Sequence, residues 1–474
     1  MLSHIIRKEL LDQLLSLRFA IACVVCLVVL LLSSIVLTRD YREAMSTYNM
    51  NKVMHRNDVT QRTGVQDLWQ GVTVDRPLNV MNVLVRGISA ELTESVRVQN
   101  GNRMDFLEVY EQNPVVPLFP EVDFVFISGI IMSLLALAFS YDAISGERES
   151  GVLKVVMSYS VPRDTLLLGK WIGGYLALIA PFVMSFIAGL VVMALFPEVE
   201  IGTDNFLSIF ALLLLALLYL AAIYSLGVFV SCRTEIASTS ITVLLLVWVV
   251  FILAIPNMAP YFTGQLIPAP SRTSIDRGKL EVQQETMRLR QKMMRDEQER
   301  SGKEDVWNDE DFQEKLRIFH EEREAEAQKI EDSFMAKIRA QTRWSTYIAR
   351  ISPLTSFNLA ALDLAAAGIN QEVHFVDALK EYSSTWGSYS DEKSKAWQDF
   401  MKERRSSGSR MMFTSADMEQ FNNMDYSDYP RFTFTYMPFK DRLQSVYKDV
   451  LLLGVWNVLF FMLAYLSFLR YDVR

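Results

Sequence analysis

Cysteine is nearly absent: the chain holds three in 474 residues, at Cys23, Cys26 and Cys232. All three belong to apolar runs, so the long hydrophilic stretches carry no thiol and no disulfide framework. Histidine is as scarce, with His4, His55, His320 and His374 scattered along the chain. The stretch His320-Glu321-Glu322-Arg323-Glu324 imitates the start of a zinc-binding H-E-x-x-H helix, but Glu324 stands where the second histidine is needed. A phosphate-wrapping loop is missing too. Its nearest approach is Leu168-Gly169-Lys170-Trp171, where Asp164 replaces the first glycine and Trp171 the hydroxyl residue. No G-x-S-x-G elbow occurs. These gaps exclude nucleotide hydrolysis by this route and point to no enzyme chemistry; a site within residues 372–447 is the weaker reading that would make the chain a membrane-anchored enzyme.

What the chain has instead is long apolar runs. The sequence is 51% hydrophobic and yet 22% charged, because the two kinds of residue are segregated. A helix needs roughly 20 mostly apolar residues to cross a bilayer. Six runs qualify: Phe19–Leu37, Phe124–Tyr141, Trp171–Phe196, Phe206–Cys232, Ile236–Pro256 and Val450–Leu469. None contains Lys, Arg, Asp or Glu. The expected class is an all-α polytopic membrane protein of six transmembrane helices. The first run is longer than a signal peptide's apolar region and has no small-residue cleavage site after it, so it reads as a retained span. Charge-free spans also argue against a proton- or ion-coupled carrier, whose relays place ionisable groups in mid-membrane. Gly173, Gly174, Pro181, Gly189 and Gly227 permit close helix packing or a kink there.

Short loops fix the orientation. Arg7, Lys8 and Arg18 precede the first span; Arg148, Lys154, Arg163 and Lys170 follow the second; Arg233 joins the fourth and fifth; Arg470 and Arg474 end the chain. The one short loop on the other side, Pro197–Asn205, carries three acids and no base. Both termini are therefore expected in the cytoplasm, with residues 39–122 and 257–449 outside, in a cytoplasmic (inner) membrane.

The resulting layout has an N-terminal amphipathic interfacial helix (1–18), on which Ile6, Leu10, Leu14 and Leu17 share a face and Arg7, Lys8, Asp12 and Ser16 turn away. Spans follow at 19–38, 123–141, 171–196, 206–232, 236–256 and 450–469, with a cytoplasmic loop at 142–170. In the first insertion, the alternation over Leu78–Leu84 hints at strand, and Pro114, Pro117 and Pro120 lead into the second span. In the second, Leu280, Met287 and Met294 recur every seven residues, as do Val282 and Leu289; a break at Ser301-Gly302 and Asn308 precedes Phe312, Leu316, Phe319, Ile330, Phe334 and Ile338. That predicts an antiparallel helical hairpin over about 276–344. Pro353–Ile369 is apolar but short and reads as an interfacial or partly re-entrant helix; Glu372–Tyr447, broken near Ser406–Arg410, reads as globular or loop-rich.

The loop 142–170 is the polar island between two spans. Glu147, Arg148 and Glu149 precede Gly151; Leu153, Val156, Met157 and Ser160 line one face of a short helix that Pro162 stops. Such a helix is a suitable knob for a cleft in a soluble partner, or an interfacial helix that anchors the spans. Its text resembles the cytoplasmic loop of type-2 ATP-binding-cassette (ABC) permeases: Glu149-Ser150-Gly151-Val152-Leu153, then Arg163, then Leu168-Gly169-Lys170. One departure is that Glu149 stands two rather than three places before the glycine, with Glu147 and Arg148 supplying the upstream charge. Ile351-Ser352-Pro353-Leu354-Thr355 resembles the family's proline-containing segment before the sixth span. The large insertions are similar in layout to permeases of gliding-motility, nitrous-oxide-reductase maturation and sodium-export systems.

The resemblance implies a permease without catalytic, metal or cofactor residues of its own, with ATP and Mg bound by a partner ABC ATPase. It implies a second permease chain, in a homodimer or heterodimer, a lipid environment and no nucleic acid. Residues expected to couple to the ATPase are Glu147, Glu149, Gly151, Leu153, Val156, Met157, Arg163, Gly169 and Lys170. The expected outcome is export of a substrate; the alternative is mechanical transmission through the outer hairpin to an envelope partner, with nothing crossing.

Overall fold

The computed structural model describes residues 1–88, 92–99, 104–107, 121–159, 161–268, 271–302, 310–406 and 424–470. The three prolines before the second span, Ser160, Asn308, the Gly/Ser break over 407–410 and Arg474 lie outside the described residues. The chain forms two compact units. One contains Met1–Ala254, Ser352–Glu392 and Asn423–Arg474; the other contains Ile255–Ile351 and Lys393–Asn422.

Among the described residues, six helices are long and apolar enough to cross a membrane: span 1 (Leu17–Thr60), span 2 (Phe124–Glu149), span 3 (Arg163–Ala194), span 4 (Thr203–Arg233), span 5 (Ala237–Leu266) and span 6 (Phe439–Leu469). Each contains one of the six apolar runs or nearly all of it, and the all-α polytopic class holds. The helices outrun the apolar stretches. Span 1 continues as one 45-residue helix to Gln61, about 68 Å at 1.5 Å per residue against a hydrocarbon core of about 30 Å. Its polar half, 39–61, therefore stands clear of the apolar layer.

A separate helix, Leu2–Leu14, precedes span 1. Ser16 divides the two: its backbone is extended, and its hydroxyl accepts the Phe19 N–H at 3.3 Å as a helix N-cap. Two spans carry π-helical turns, at Ile127–Ile131 in span 2 and Val249–Ala254 in span 5. A π turn frees backbone groups from the regular ladder, and here the Tyr219 hydroxyl of span 4 donates to Gly129 O at 2.8 Å.

The short helix Pro353–Leu364 packs against both π turns and against spans 4 and 6. Phe357 stacks on Tyr219 with centroids 4.8 Å apart, and Leu354 reaches the space that a side chain on Gly129 would fill. Its residues Leu354, Phe357, Ala360, Ala361 and Leu364 are all buried. It sits inside the bundle rather than along an interface, because its small residues let spans 2, 4, 5 and 6 close around it. Other polar groups tie the spans together: Trp248 Nε1 donates to Ser133 Oγ (2.9 Å), and Asn457 Nδ2 to Leu218 O (2.9 Å).

Beyond span 1 a small antiparallel sheet forms from β1 (Val72–Asp75), β2 (Ser95–Val98) and β3 (Met104–Leu107), in that order, with Val72 opposite Val98 and Ser95 opposite Leu107. The alternating stretch Leu78–Leu84 is not strand. It makes a 3-10 turn at Val80–Val83, because Asn79 caps it: Oδ1 accepts from Met81 N at 3.0 Å while Nδ2 donates to Ala365 O and Ala366 O.

In the other unit, Arg272–Ser301 and Glu310–Ala349 run antiparallel: Lys315 Nζ lies 3.4 Å from Glu297 Oε2, and Gly278 faces Ile330. Phe312 and Leu316 form a small core with Met293 and Met294. Val282 and Leu289 are half-buried, whereas of the other heptad stripe Leu280 and Met287 are exposed and only Met294 is covered. Of Glu372–Tyr447, read as globular or loop-rich, the part up to Ser406 belongs instead to one helix, Ile369–Ser406. The extended segment 424–438 leads back to span 6.

Candidate functional site

The loop between spans 2 and 3 consists of two short helices, Ser145–Glu149 and Val152–Ser158, before span 3 begins at Arg163. Gly151 joins them with φ +76°, a left-handed backbone that glycine adopts without steric cost. No atom lies within 4 Å of where its Cβ would be, so the requirement is conformational and not one of space.

The loop is fastened to its surroundings on three sides. On the first, Arg18 at the start of span 1 grips Asp142 with both Nη atoms, at 2.9 and 2.7 Å, and also donates to the Tyr141 hydroxyl at 3.0 Å. A planar guanidinium paired with both carboxylate oxygens is the more directional kind of ion pair. On the second, the chain meets the turn between spans 4 and 5. Ser231 Oγ accepts from Ile144 N and Ser145 N, both at 3.0 Å. Arg148 reaches Glu235 Oε1 at 2.8 Å, and Glu149 Oε2 accepts the Ala237 N–H at 3.0 Å, placing a carboxylate at the amino end of span 5.

The third fastening is a buried ionic triad. Lys170 Nζ lies 2.9 Å from Glu147 Oε1 and 3.2 Å from Glu9 Oε2, with the lysine side chain only 5% exposed. Glu9 comes from the N-terminal helix, so that helix, the loop and span 3 meet in one charge cluster. Close approach is possible because span 3 presents glycine at that face. A Cβ on Gly169 would lie 2.5 Å from Ile5 Cγ2, and one on Gly173 2.7 Å from Glu9 Cβ and 3.0 Å from Ile6 O. Gly169 and Gly173 are four residues apart, a small-xxx-small face on which another helix backbone can rest.

The nine residues singled out in the sequence thus take different places. Glu147, Gly169 and Lys170 converge on the triad and its helix contact. Glu149 binds the amino end of span 5, and Arg163 Nη1 donates to Leu469 O at the end of span 6. Leu153 is fully buried, and Val156 and Met157 pack partly against the main core. The face of Val152–Ser158 that remains open is the opposite one: Val152 is 42% exposed, Val155 59%, and Tyr159, just beyond, 69%. The helix is apolar nearly all round, so its periodicity did not tell the anchored face from the open one.

Sequence reasoning missed Glu9, Asp142 and Ser231. The signal for Arg18 and Asp142 was present: opposite charges stand at the ends of two apolar runs that must return to the same membrane side. Glu9 lies on the arc next to Ile5 and Ile6, and the stripe Ile6–Leu10–Leu14–Leu17 drew attention from it. Leu17 itself belongs to span 1 and is exposed.

Mechanically, the arrangement joins an exposed apolar patch to spans 1, 3, 4, 5 and 6 through short polar contacts.

A family model described as "ABC-2 family transporter protein" matches residues 3–473. A probable ABC transporter permease protein, NosY, of Pseudomonas aeruginosa is 33% identical over 148 residues, which cover 30% of this chain and 53% of that protein. Its namesake in Stutzerimonas stutzeri is 38% identical over 77 residues, 16% of this chain and 28% of that protein. The chain thus spans about half the length, or less, of the curated relatives it matches.

Proposed function

Since the chain belongs to the ABC-2 family of transporter proteins, as the charged loop indicated, we propose that it is the membrane permease of an ABC transporter. Hydrolysis takes place in a separate ATPase subunit, which binds ATP and Mg and seats a cleft on Val152, Val155 and Tyr159. One observation carries this reading: a short helix exposes apolar side chains on one face while its other face and both flanks are locked to the spans.

Coupling follows from the contacts. Leu153, Val156 and Met157 transmit load into the core. Glu149 and Arg148 pass it to span 5, Glu147 and Lys170 to span 3 and the N-terminal helix, and Asp142 to span 1. The absence of Lys, Arg, Asp and Glu from the six apolar runs fits a translocator that draws on an external energy source and not on an ion gradient. The protein lies in the cytoplasmic membrane with both termini and the loop inside, works as a dimer with itself or a sister permease, and exports its substrate.

Affinity purification of the full chain from detergent-solubilised native membranes tests this. Co-purification of an ATPase subunit with ATP hydrolysis is expected; recovery of the intact chain without one contradicts it. A second reading is favoured by the hairpin helices of 30 and 40 residues, roughly 45 and 60 Å long. They have the reach to convey motion to an envelope protein without transport. ATP-dependent accumulation of substrate in inverted vesicles supports export. Hydrolysis that depends on an outer partner, with no accumulation, supports transmission.

A further inference from the structure

On the membrane side that carries the two insertions, within the first unit, a cavity of about 450 Å³ opens beside the polar half of span 1. That volume falls in the range of small-molecule sites. Its walls are span 1, strand β1 and the extended segment that returns toward span 6. Nothing in the permease reading uses it.

Two features define its chemistry. The first is positive charge. Lys52 and Arg56, one turn apart on span 1, and Arg431 on the returning segment all line the cavity. Among the described residues none of the three has a carboxylate within ion-pair distance. The one carboxylate among the described residues lining the cavity, Asp75, is already engaged, accepting from Ser95 Oγ at 2.8 Å with His55 Nδ1 also at 2.8 Å. Burial holds the Tyr429 phenol above its usual range, while the guanidinium groups of Arg431, Arg56 and Arg62 pull it the other way. The second feature is aromatic surface. Tyr382 and Phe432 meet edge to face at 5.4 Å, and Phe432 and Phe434 lie parallel with centroids 6.3 Å apart. The Tyr382 hydroxyl is committed to Pro430 O at 2.8 Å and its residue is buried, so this wall offers ring surface, mainly of the half-buried Phe432 and Phe434, rather than donors.

Lys52 already lies over the Tyr48 ring, 5.5 Å from its centroid. Cations without a described carboxylate partner beside ring faces recognise a particular kind of molecule. An anion without a body leaves the rings in water, and an apolar molecule without charge leaves three cations unmatched. We propose that this cavity binds a small water-soluble anion with a flat or ring-shaped body, its charges set against Lys52, Arg56 and Arg431 and its ring against Tyr382 and Phe432. The site lies across the membrane from the ATPase-facing helix and is independent of the permease reading.

Isothermal titration calorimetry on the full chain in phosphatidylcholine nanodiscs tests it, with empty nanodiscs subtracted. The probe is naphthalene-1,5-disulfonate, compared with ethane-1,2-disulfonate, which has the charges without the ring, and with 1-naphthylmethylammonium, which has the ring with opposite charge. Saturable binding of the naphthalene disulfonate is expected, at least tenfold tighter than either comparator. The variant Lys52→Gln/Arg56→Gln/Arg431→Gln should weaken it at least tenfold, and Arg56→Gln alone at least threefold, which serves if the triple variant does not fold. Lys380→Gln, an exposed cation outside the cavity, should leave it unchanged. No saturable binding, equal affinity in the Arg56→Gln variant, or equal affinity for either comparator overturns the proposal.

Discussion

Lys170, at the entrance to span 3, holds Glu9 of the N-terminal helix at 3.2 Å across 161 positions of sequence. The same ammonium holds Glu147 at 2.9 Å. A helix that composition alone would lay on the membrane surface is thereby tied to the loop and to span 3.

Removing the shared cation leaves two carboxylates buried together. Breaking a buried pair costs about 3–5 kcal/mol, whereas replacing all members by neutral groups is far better tolerated. Lys170→Met should therefore lower the thermal midpoint in detergent, followed by tryptophan fluorescence. The triple variant Glu9→Gln/Glu147→Gln/Lys170→Met should recover most of the loss. Equal midpoints for Lys170→Met and wild type would show that the triad does not hold the helix.

The glycine face is tested by a single methyl group. In Gly173→Ala the new Cβ meets Glu9 Cβ and the Ile6 carbonyl, a backbone atom that cannot swing away. Overpacking of this kind costs roughly 1–3 kcal/mol, and the N-terminal helix should lift. Limited trypsin cleavage after Arg7 or Lys8, both on its exposed side, should speed up several-fold relative to wild type. An unchanged cleavage rate would place the helix's hold elsewhere.

At Gly151 the expected penalty is purely conformational. Alanine at φ +76° costs on the order of 1–2 kcal/mol, and asparagine, which visits the left-handed region more readily, costs less. Gly151→Ala should lower ATPase stimulation more than Gly151→Asn does, although neither changes side-chain packing. Equal activity of both variants with wild type would mean that the joint between the two short helices bears no load.

Topology has its own measurement. Lys292 is exposed on the first hairpin helix, and the three native cysteines lie within spans 1 and 4. The Lys292→Cys variant in intact cells should react with a membrane-impermeant thiol reagent within minutes. Protection until the cells are lysed would invert the orientation.

Much of this was legible beforehand, for identifiable reasons. An uncharged run of bilayer length has few alternatives to a span, so Phe206–Cys232 or Trp171–Phe196 could be read directly. The loop at 142–170 stood out as charge between two such runs. Side-chain partners were another matter. The stripe Leu153–Val156–Met157 announced an apolar face, but the open face is Val152–Val155–Tyr159, and only the packed bundle separates them. Asn79 turned an alternating stretch into a 3-10 turn through bonds to Ala365 and Ala366, nearly three hundred residues away. The aromatic alternation Phe432–Phe434–Tyr436 carries the signal of a segment with one covered face, which the structure shows half-buried between exposed neighbours.

The most direct measurement is ATP hydrolysis by the purified permease–ATPase complex carrying Val155→Asp on the open face of the loop helix. Val155 is 59% exposed, so the charge disturbs no packing within the chain, and the variant should insert and unfold like wild type. Loss of ATPase co-purification, or at least a tenfold fall in permease-dependent hydrolysis, is the predicted result. Full association and full hydrolysis in that variant would contradict the assignment of this helix as the entry point for the energy of ATP.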